Sequence, residues 1–238
     1  MHNNFFKTIA LILVFSFELS AQTYHHTSFW SRLGFQKEYK NFEYKLEFDY
    51  RTQNVFEKSD VNPFQKRLLQ WFRFITVYKT GKLTHTIILP NLVRTYPLVA
   101  NEADKKRFPT IEWRYSLFEE FNQPYNKLTS SFRFGYEFRN LTTNNVTRNT
   151  GRLRFRLNEI LQISKKTRVN MSFESLYNSG PNKAPNTFSQ TQFQLRYTHS
   201  FGNNLNLTTG YLHLLRKRNS LVEYDIENGL MCNLQLVL

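Results

Sequence analysis

The sequence predicts an all-β fold: an antiparallel up-and-down transmembrane β-barrel of about 12 strands, with 10 as the alternative. Three observations predict it. After residue 22 nearly every segment alternates apolar and polar residues with a period of two. The connections between those segments alternate between tight turns and long polar loops. The first 21 residues have the layout of an export signal.

Lys7 supplies the positive start of that signal, Thr8 to Phe17 form an apolar run, and Ala21 offers a small residue before Gln22. The run is too short to cross a bilayer as a helix. Residues 1–21 are therefore expected to be a signal peptide and 22–238 a barrel domain, placed after export in the outer membrane of a Gram-negative bacterium. Lys7 and Glu18 cancel, so the exported chain keeps the net charge of +14.

The strands follow in order. In 42–51, Phe42, Tyr44, Leu46, Phe48 and Tyr50 face one way, and Glu43, Lys45, Glu47, Asp49 and Arg51 the other. A helix would scatter these residues around its circumference; a strand separates them. In 110–121, Glu112 and Arg114 oppose Ile111, Trp113, Tyr115 and Leu117. Arg133, Glu137 and Arg139 oppose Phe132, Phe134, Tyr136 and Phe138. Arg152, Arg154 and Arg156 oppose Leu153, Phe155 and Leu157. Glu174 and Arg196 take the polar side of 167–178 and 190–201, and 205–215 alternates in the same way. The stretch 28–39 alternates less cleanly, and 66–79 and 83–96 are apolar on both faces, which leaves their inner side open. The final stretch, Leu230 to Leu238, is a terminal amphipathic strand of the kind barrel-assembly machinery reads, although it ends on a leucine rather than an aromatic residue.

About eleven strands can be counted in this way. Bacterial single-chain barrels normally hold an even number, so twelve are expected, the extra one lying in 22–28 or 219–226. Tight turns are expected near Lys40-Asn41, Thr80-Gly81, Gln123 to Asn126, Ser164 to Lys166 and Gly202-Asn203, on the periplasmic side. Longer extracellular loops are expected at 52–65, 97–107, 140–150, 179–188 and 216–225.

Periodicity does not say which face is inside. The amount of aromatic surface does. Aromatic residues make up 16% of the chain, and about eleven strands of such rings exceed what a small barrel can hold within it. Lipid accepts them without a size limit. Trp30, Trp71, Trp113, Tyr125 and Tyr177 are candidates for interfacial girdles.

The charged stripes then line the lumen. The candidates are Glu43, Lys45, Glu47, Asp49, Arg51, Glu112, Arg114, Arg133, Glu137, Arg139, Arg152, Arg154, Arg156, Glu174 and Arg196. One reading is a basic pore wall that favours a small anionic solute; the other is a closed lattice of ion pairs. Arg152, Arg154 and Arg156 distinguish them, because three arginines in a row exceed the carboxylates beside them. The basic clusters Lys105-Lys106-Arg107 and Arg216-Lys217-Arg218 are candidates for phosphates of outer-membrane lipid.

Other classes find less support. Export and the lack of any zinc-finger, helix-turn-helix or phosphate-loop pattern argue against nucleic acid. Cys232 is the one cysteine, so neither an internal disulfide nor a cysteine metal site can form. His25 and His26 are adjacent and make no metal site alone. A membrane lipid hydrolase would need a serine beside one of His85, His199 or His213, and no such grouping stands out. No catalytic residue, metal or cofactor is expected. A soluble exported ligand-binding barrel is the remaining alternative.

Gly151-Arg152-Leu153-Arg154-Phe155-Arg156-Leu157, the early Trp30, and Phe42-Glu43-Tyr44-Lys45-Leu46-Glu47 together resemble an uncharacterised domain-of-unknown-function family of outer-membrane barrels common in Bacteroidota. The resemblance covers nearly the whole exported chain. It implies a barrel fold and an outer-membrane location and adds nothing on mechanism; a structural or passive transport role with a basic lumen is the expectation that the residues themselves leave.

Overall fold

The computed structural model describes residues 22–55, 61–179, 188–218 and 223–238. The expected signal peptide lies outside the described residues. Eleven strands form the described fold: β1 (Gln22–Tyr39), β2 (Phe42–Gln53), β3 (Lys66–Thr80), β4 (Leu83–Thr95), β5 (Thr110–Tyr125), β6 (Leu128–Thr143), β7 (Val146–Ser164), β8 (Thr167–Ser179), β9 (Phe188–Phe201), β10 (Leu205–Lys217) and β11 (Glu223–Val237). A short helix, α1 (Glu102–Lys105), sits in the loop after β4, capped by the Asn101 side chain.

Each strand pairs antiparallel with the next, and the barrel closes where β1 pairs with β11 in parallel. The expected twelfth strand is absent from the described residues: 22–28 belongs to β1, and β11 begins at Glu223. A meander reverses direction at every strand, so an even total lets all neighbours run antiparallel. With eleven, the first and last strands point the same way, and a parallel ladder from Gln22↔Glu223 to Gln36↔Val237 closes the sheet.

Side chains reinforce this seam on the inner face. Tyr24 donates to Glu223 at 3.0 Å, Ser28 to Glu227 at 2.7 Å, and Gln235 to Gln36 at 2.5 Å. His26 Nε2 lies 3.0 Å from Asp225. Each bond joins a β1 residue to the one 199 positions later, which is the stagger of a parallel ladder read on alternate residues.

Tight turns follow β1, β3, β5, β7 and β9. Lys40, Gly81, Asn126 and Gly202 take positive φ there, which Gly and Asn tolerate best. One expected loop is not a loop. The stretch 140–150 continues β6 and β7 to a two-residue turn at Asn144-Asn145, both with positive φ. Its polar composition reads as a loop, but its threonines are β-branched and pair across the strands. Thr142 meets Thr147 at 2.9 Å, and Asn140 donates to Asn149 at 2.8 Å.

The outer face carries the rings. Phe42, Tyr44, Leu46 and Phe48 are exposed, as are Trp113, Tyr115, Leu117, Phe132, Phe134 and Phe138. The two ambiguous strands now resolve. Ile75 and Val77 of β3 and Ile88 of β4 turn inward and cluster with Phe118 of β5. The ladder around β4 shifts register between Ile88 and Asn91, so Ile88 and Asn91 both face in although an odd number of positions separates them. Pro90 sits at this irregularity, where a residue without a backbone N–H is tolerated.

Trp30 and Trp71 depart from the girdle expectation. Trp30 is buried and its indole donates to Asp49 at 3.2 Å, while the Trp71 indole donates to Asn91. Both are interior residues, because an indole N–H can be satisfied by the polar groups that line this barrel. Trp113 and Tyr125 are exposed on the outer face.

Candidate functional site

The candidate site is the barrel interior, built by alternate residues of the strands. In β2, Glu43, Lys45, Glu47, Asp49 and Arg51 all turn inward. Glu43 lies near a tight turn and holds Lys45, with Lys79 at 2.7 Å. Glu47 accepts from Arg73 Nε at 2.6 Å and lies 3.6 Å from Arg32. Asp49, fully buried, accepts from Arg32 at 2.5 Å. Arg51 reaches across the seam to Glu227 at 3.2 Å, with its guanidinium 4.1 Å from the Trp30 ring centroid.

The β5–β8 wall repeats the arrangement. Glu112 accepts from Arg114 at 2.7 Å and from both Nε and Nη2 of Arg139, at 2.6 and 2.8 Å. Glu137 accepts from Arg152 at 2.6 Å and Arg154 at 2.8 Å, with Arg114 at 3.5 Å. Arg154 also holds Glu174 through two bonds. Arg133 and Arg156 share one oxygen of Glu120, at 2.5 and 3.3 Å. Arg196 bonds the side-chain oxygen of Asn170, with Nε at 2.9 Å.

Every candidate lumen residue therefore sits on the inner wall, and Arg152, Arg154 and Arg156 each have a carboxylate. The interior is dominated by a lattice of ion pairs. In such a lattice each carboxylate is worth keeping only while its arginines are present, because desolvation consumes most of the Coulombic gain. The lattice also contains groups the sequence reading left out. Glu120 continues the inward alternation of β5 at the third inward position past Arg114, after Ser116 and Phe118. Arg32 and Arg73 lie on strands whose alternation was broken or hidden, and Glu227 lies just past a stretch read as loop.

The lattice is layered. Glu137, Glu174 and Asp49 are almost wholly buried, while the arginine heads lie in front of them and face the remaining space. That space is a cavity of about 270 Å³ in the tight-turn half of the barrel. Its wall carries seven cationic side chains, Arg32, Lys45, Arg73, Arg133, Arg154, Arg156 and Arg196, against two carboxylates, Glu47 and Glu174. Ile75, Val77, Ile88 and Phe118 form the apolar part of the wall.

At the long-loop end the two basic clusters converge. Arg107 and Arg216 to Arg218 line one cleft of about 750 Å³, together with Arg148. Arg218 bridges Asp104 of α1, at 3.1 Å, and Asp225 of β11, at 2.8 Å. Burial works against the Arg218 charge, but Asp225 and Asp104 outweigh it and hold the guanidinium above its ordinary pKa. Asn91, Leu212, Leu214 and Glu227, which line neither the cleft nor the cavity, are fully or almost fully buried.

The histidines weighed for hydrolysis lie elsewhere. His85 pairs with Glu119 at 2.6 Å, His199 meets Thr167 at 3.0 Å, and His213 meets Asn228 at 2.9 Å. No group of three metal-ligating side chains occurs among the described residues.

A family profile described as "Protein of unknown function (DUF2490)" matches residues 27–224. The chain belongs to the DUF2490 family. In this DUF2490 chain the matched span runs from β1 into β11 and includes every candidate lumen residue. Among solved structures, an anion-selective porin from Comamonas acidovorans is similar at a TM-score of 0.36 and 12% identity. The match covers 81% of the DUF2490 chain and 52% of that porin, so the chain spans about half the porin's length. A search of the curated proteins returned no match.

Proposed function

We propose that the protein is an outer-membrane β-barrel of a Gram-negative bacterium, a passive component whose narrow, basic lumen admits small anions in preference to cations. Residues 1–21 direct its export, and the tight turns face the periplasm. The outer leaflet and its lipid contact the ring-bearing outer face, and assembly machinery reads β11.

The observation that carries the reading is the layering of the interior. Asp49 and Glu137 are buried behind the wall and only Glu47 and Glu174 reach it beside seven cationic side chains, so a solute entering the cavity meets net positive charge. The apolar outer face supports the membrane placement: a water-soluble barrel does not gain by exposing large rings on strand after strand.

Reconstitution in planar bilayers tests it. The expected result is a small conductance with anion preference, or none where the ion-pair lattice fills the lumen. A strongly cation-selective pore would contradict the basic lumen. Recovery of the native protein in the soluble periplasmic fraction would contradict the membrane placement.

A further inference from the structure

The interior lattice is not evenly balanced, and the imbalance is local. Glu137 and Glu112 serve the arginines of the upper β5–β7 wall, and Glu174 has both oxygens taken by Arg154, with Gln192 bonded to it as well. What remains in the tight-turn half is Arg133, Arg156 and Arg196. Arg133 and Arg156 are cross-strand partners on β6 and β7 and share the single oxygen Oε2 of Glu120. Arg196 has no carboxylate within ion-pair distance among the described residues; its bonds go to the neutral Asn170. Asn170 donates its Nδ2 to Asn158 at 2.5 Å and offers Arg196 only a neutral oxygen.

Three guanidinium groups thus rest on one carboxylate, a surplus of two positive charges. Arg196 shares the cavity wall with the like charges of Arg32, Arg133 and Arg156. The Nε of Arg156 is buried and has no hydrogen-bond partner among the described residues. A buried, unpaired donor on a charged group is costly unless something accepts from it. All three arginines line the 270 Å³ cavity, which has room for a small solute beside them.

We propose that this cavity is a binding site for a small, doubly charged oxyanion of the phosphate class, held by Arg133, Arg156 and Arg196. Two negative charges match the local surplus. The planar fork of a guanidinium presents paired N–H donors that match the spacing of phosphate oxygens, which a halide cannot use. The Arg133, Arg156 and Arg196 heads on the cavity wall supply the donors, and the Arg196 head supplies the charge that Asn170 leaves uncompensated. The enclosed wall selects a free anion or small phosphorylated solute over a lipid headgroup. The inference rests on the basic lumen proposed above, but not on the membrane location or on conduction.

The test uses the folded barrel in detergent, with folding checked by circular dichroism and heat-modifiable gel mobility. Inorganic phosphate is titrated calorimetrically at constant ionic strength, with sulfate and chloride as comparison arms. Trp30 and Trp71 line the cavity, so their fluorescence reports the same event. One saturable phosphate site is expected, with chloride ineffective. Arg156→Gln and Arg196→Gln should each weaken it roughly tenfold or more. Arg148→Gln, at the far mouth, should leave it unchanged. Arg196→Gln should retain full thermal stability without phosphate, since it relieves repulsion, and should lose the rise in Tm that phosphate gives the wild type. A purely structural Arg196 would instead lose stability in both buffers. The proposal is overturned by a folded wild type with no saturable phosphate binding and no phosphate-specific rise in Tm. It is also overturned by binding that both variants retain. Where a variant fails to fold, the wild-type titration and Tm shift still decide. An anion-selective barrel without saturable phosphate binding would end this inference and leave the proposed function standing.

Discussion

Arg154 grips both carboxylate oxygens of Glu174, Nε to Oε1 at 3.0 Å and Nη2 to Oε2 at 2.6 Å, and still extends Nη1 to Glu137 at 2.8 Å. One arginine thereby ties β6, β7 and β8 together inside the barrel. The geometry ranks the two carboxylates. Loss of Glu174 leaves Arg154 with Glu137. Loss of Glu137 leaves Arg152 with no carboxylate and weakens both Arg154 and Arg114.

Glu137→Gln is therefore expected to destabilise the barrel by about 3–5 kcal/mol, the range for removing one partner of a buried pair. Glu174→Gln should cost less. Adding Arg152→Gln to Glu137→Gln should restore part of the loss, because it removes the charge left unpaired. Urea midpoints in lipid vesicles measure all three, and a Glu137→Gln variant as stable as the wild type would contradict the lattice.

The parallel seam can be tested with a thiol already present. Ser31 and Cys232 are cross-strand partners on the outer face, next to the inward pair Trp30 and Met231. Ser31→Cys should cross-link to Cys232 under mild oxidation or with a short bifunctional reagent, since partners in adjacent strands lie within disulfide reach. The closed loop of about 200 residues shifts mobility on a denaturing gel without reductant. An intervening twelfth strand would keep the thiols about 10 Å apart and abolish direct oxidation.

Gly135 is required by its neighbour. A Cβ built there would lie 1.9 Å from the ring of Phe118, its cross-strand partner. Gly135→Ala should cost about 1–3 kcal/mol through overpacking. The same substitution in a Phe118→Ala background should cost clearly less, the remainder coming from the Leu117 carbonyl oxygen, 2.8 Å from the added Cβ. Equal costs in both backgrounds would show that the strain lies in the backbone instead.

How far the sequence reveals this architecture depends on what each residue must satisfy. The charged stripes are legible because ring-bearing and ion-paired faces demand a strict alternation: Phe48 cannot share a face with Asp49. Strands β3 and β4 are opaque because their inner face is apolar, with Ile75, Val77 and Ile88, and because the irregularity near Pro90 switches the parity midway. Trp30 and Trp71 mislead because an indole suits either an interface or a polar interior. The pairing of Arg196 with Asn170 is invisible in one dimension, since it depends on the register of β8 against β9. The strand count is legible by counting segments. Only the even-number expectation, which assumes antiparallel closure, points to twelve.

Arg218 fastens the α1 loop to β11 through Asp104 and Asp225. Arg218→Gln should release that loop and speed tryptic cleavage at Lys105, Lys106 and Arg107 several-fold, while the barrel stays intact. Cleavage at the wild-type rate would show that the loop is held by other contacts, such as the Gln53 side chain bonding to Pro97 and Val99.

The central claim is that rings face hydrocarbon and charges face the axis. Leu117, exposed at the middle of β5 beside the buried Ser116, reports on it most directly. A fluorescent label on Leu117→Cys in a Cys232→Ser background, reconstituted in vesicles, should be quenched by lipids brominated along their chains and shielded from aqueous iodide. A label at Arg148→Cys should behave in the opposite way. Free access of iodide to position 117, with no quenching from the brominated chains, would contradict the account.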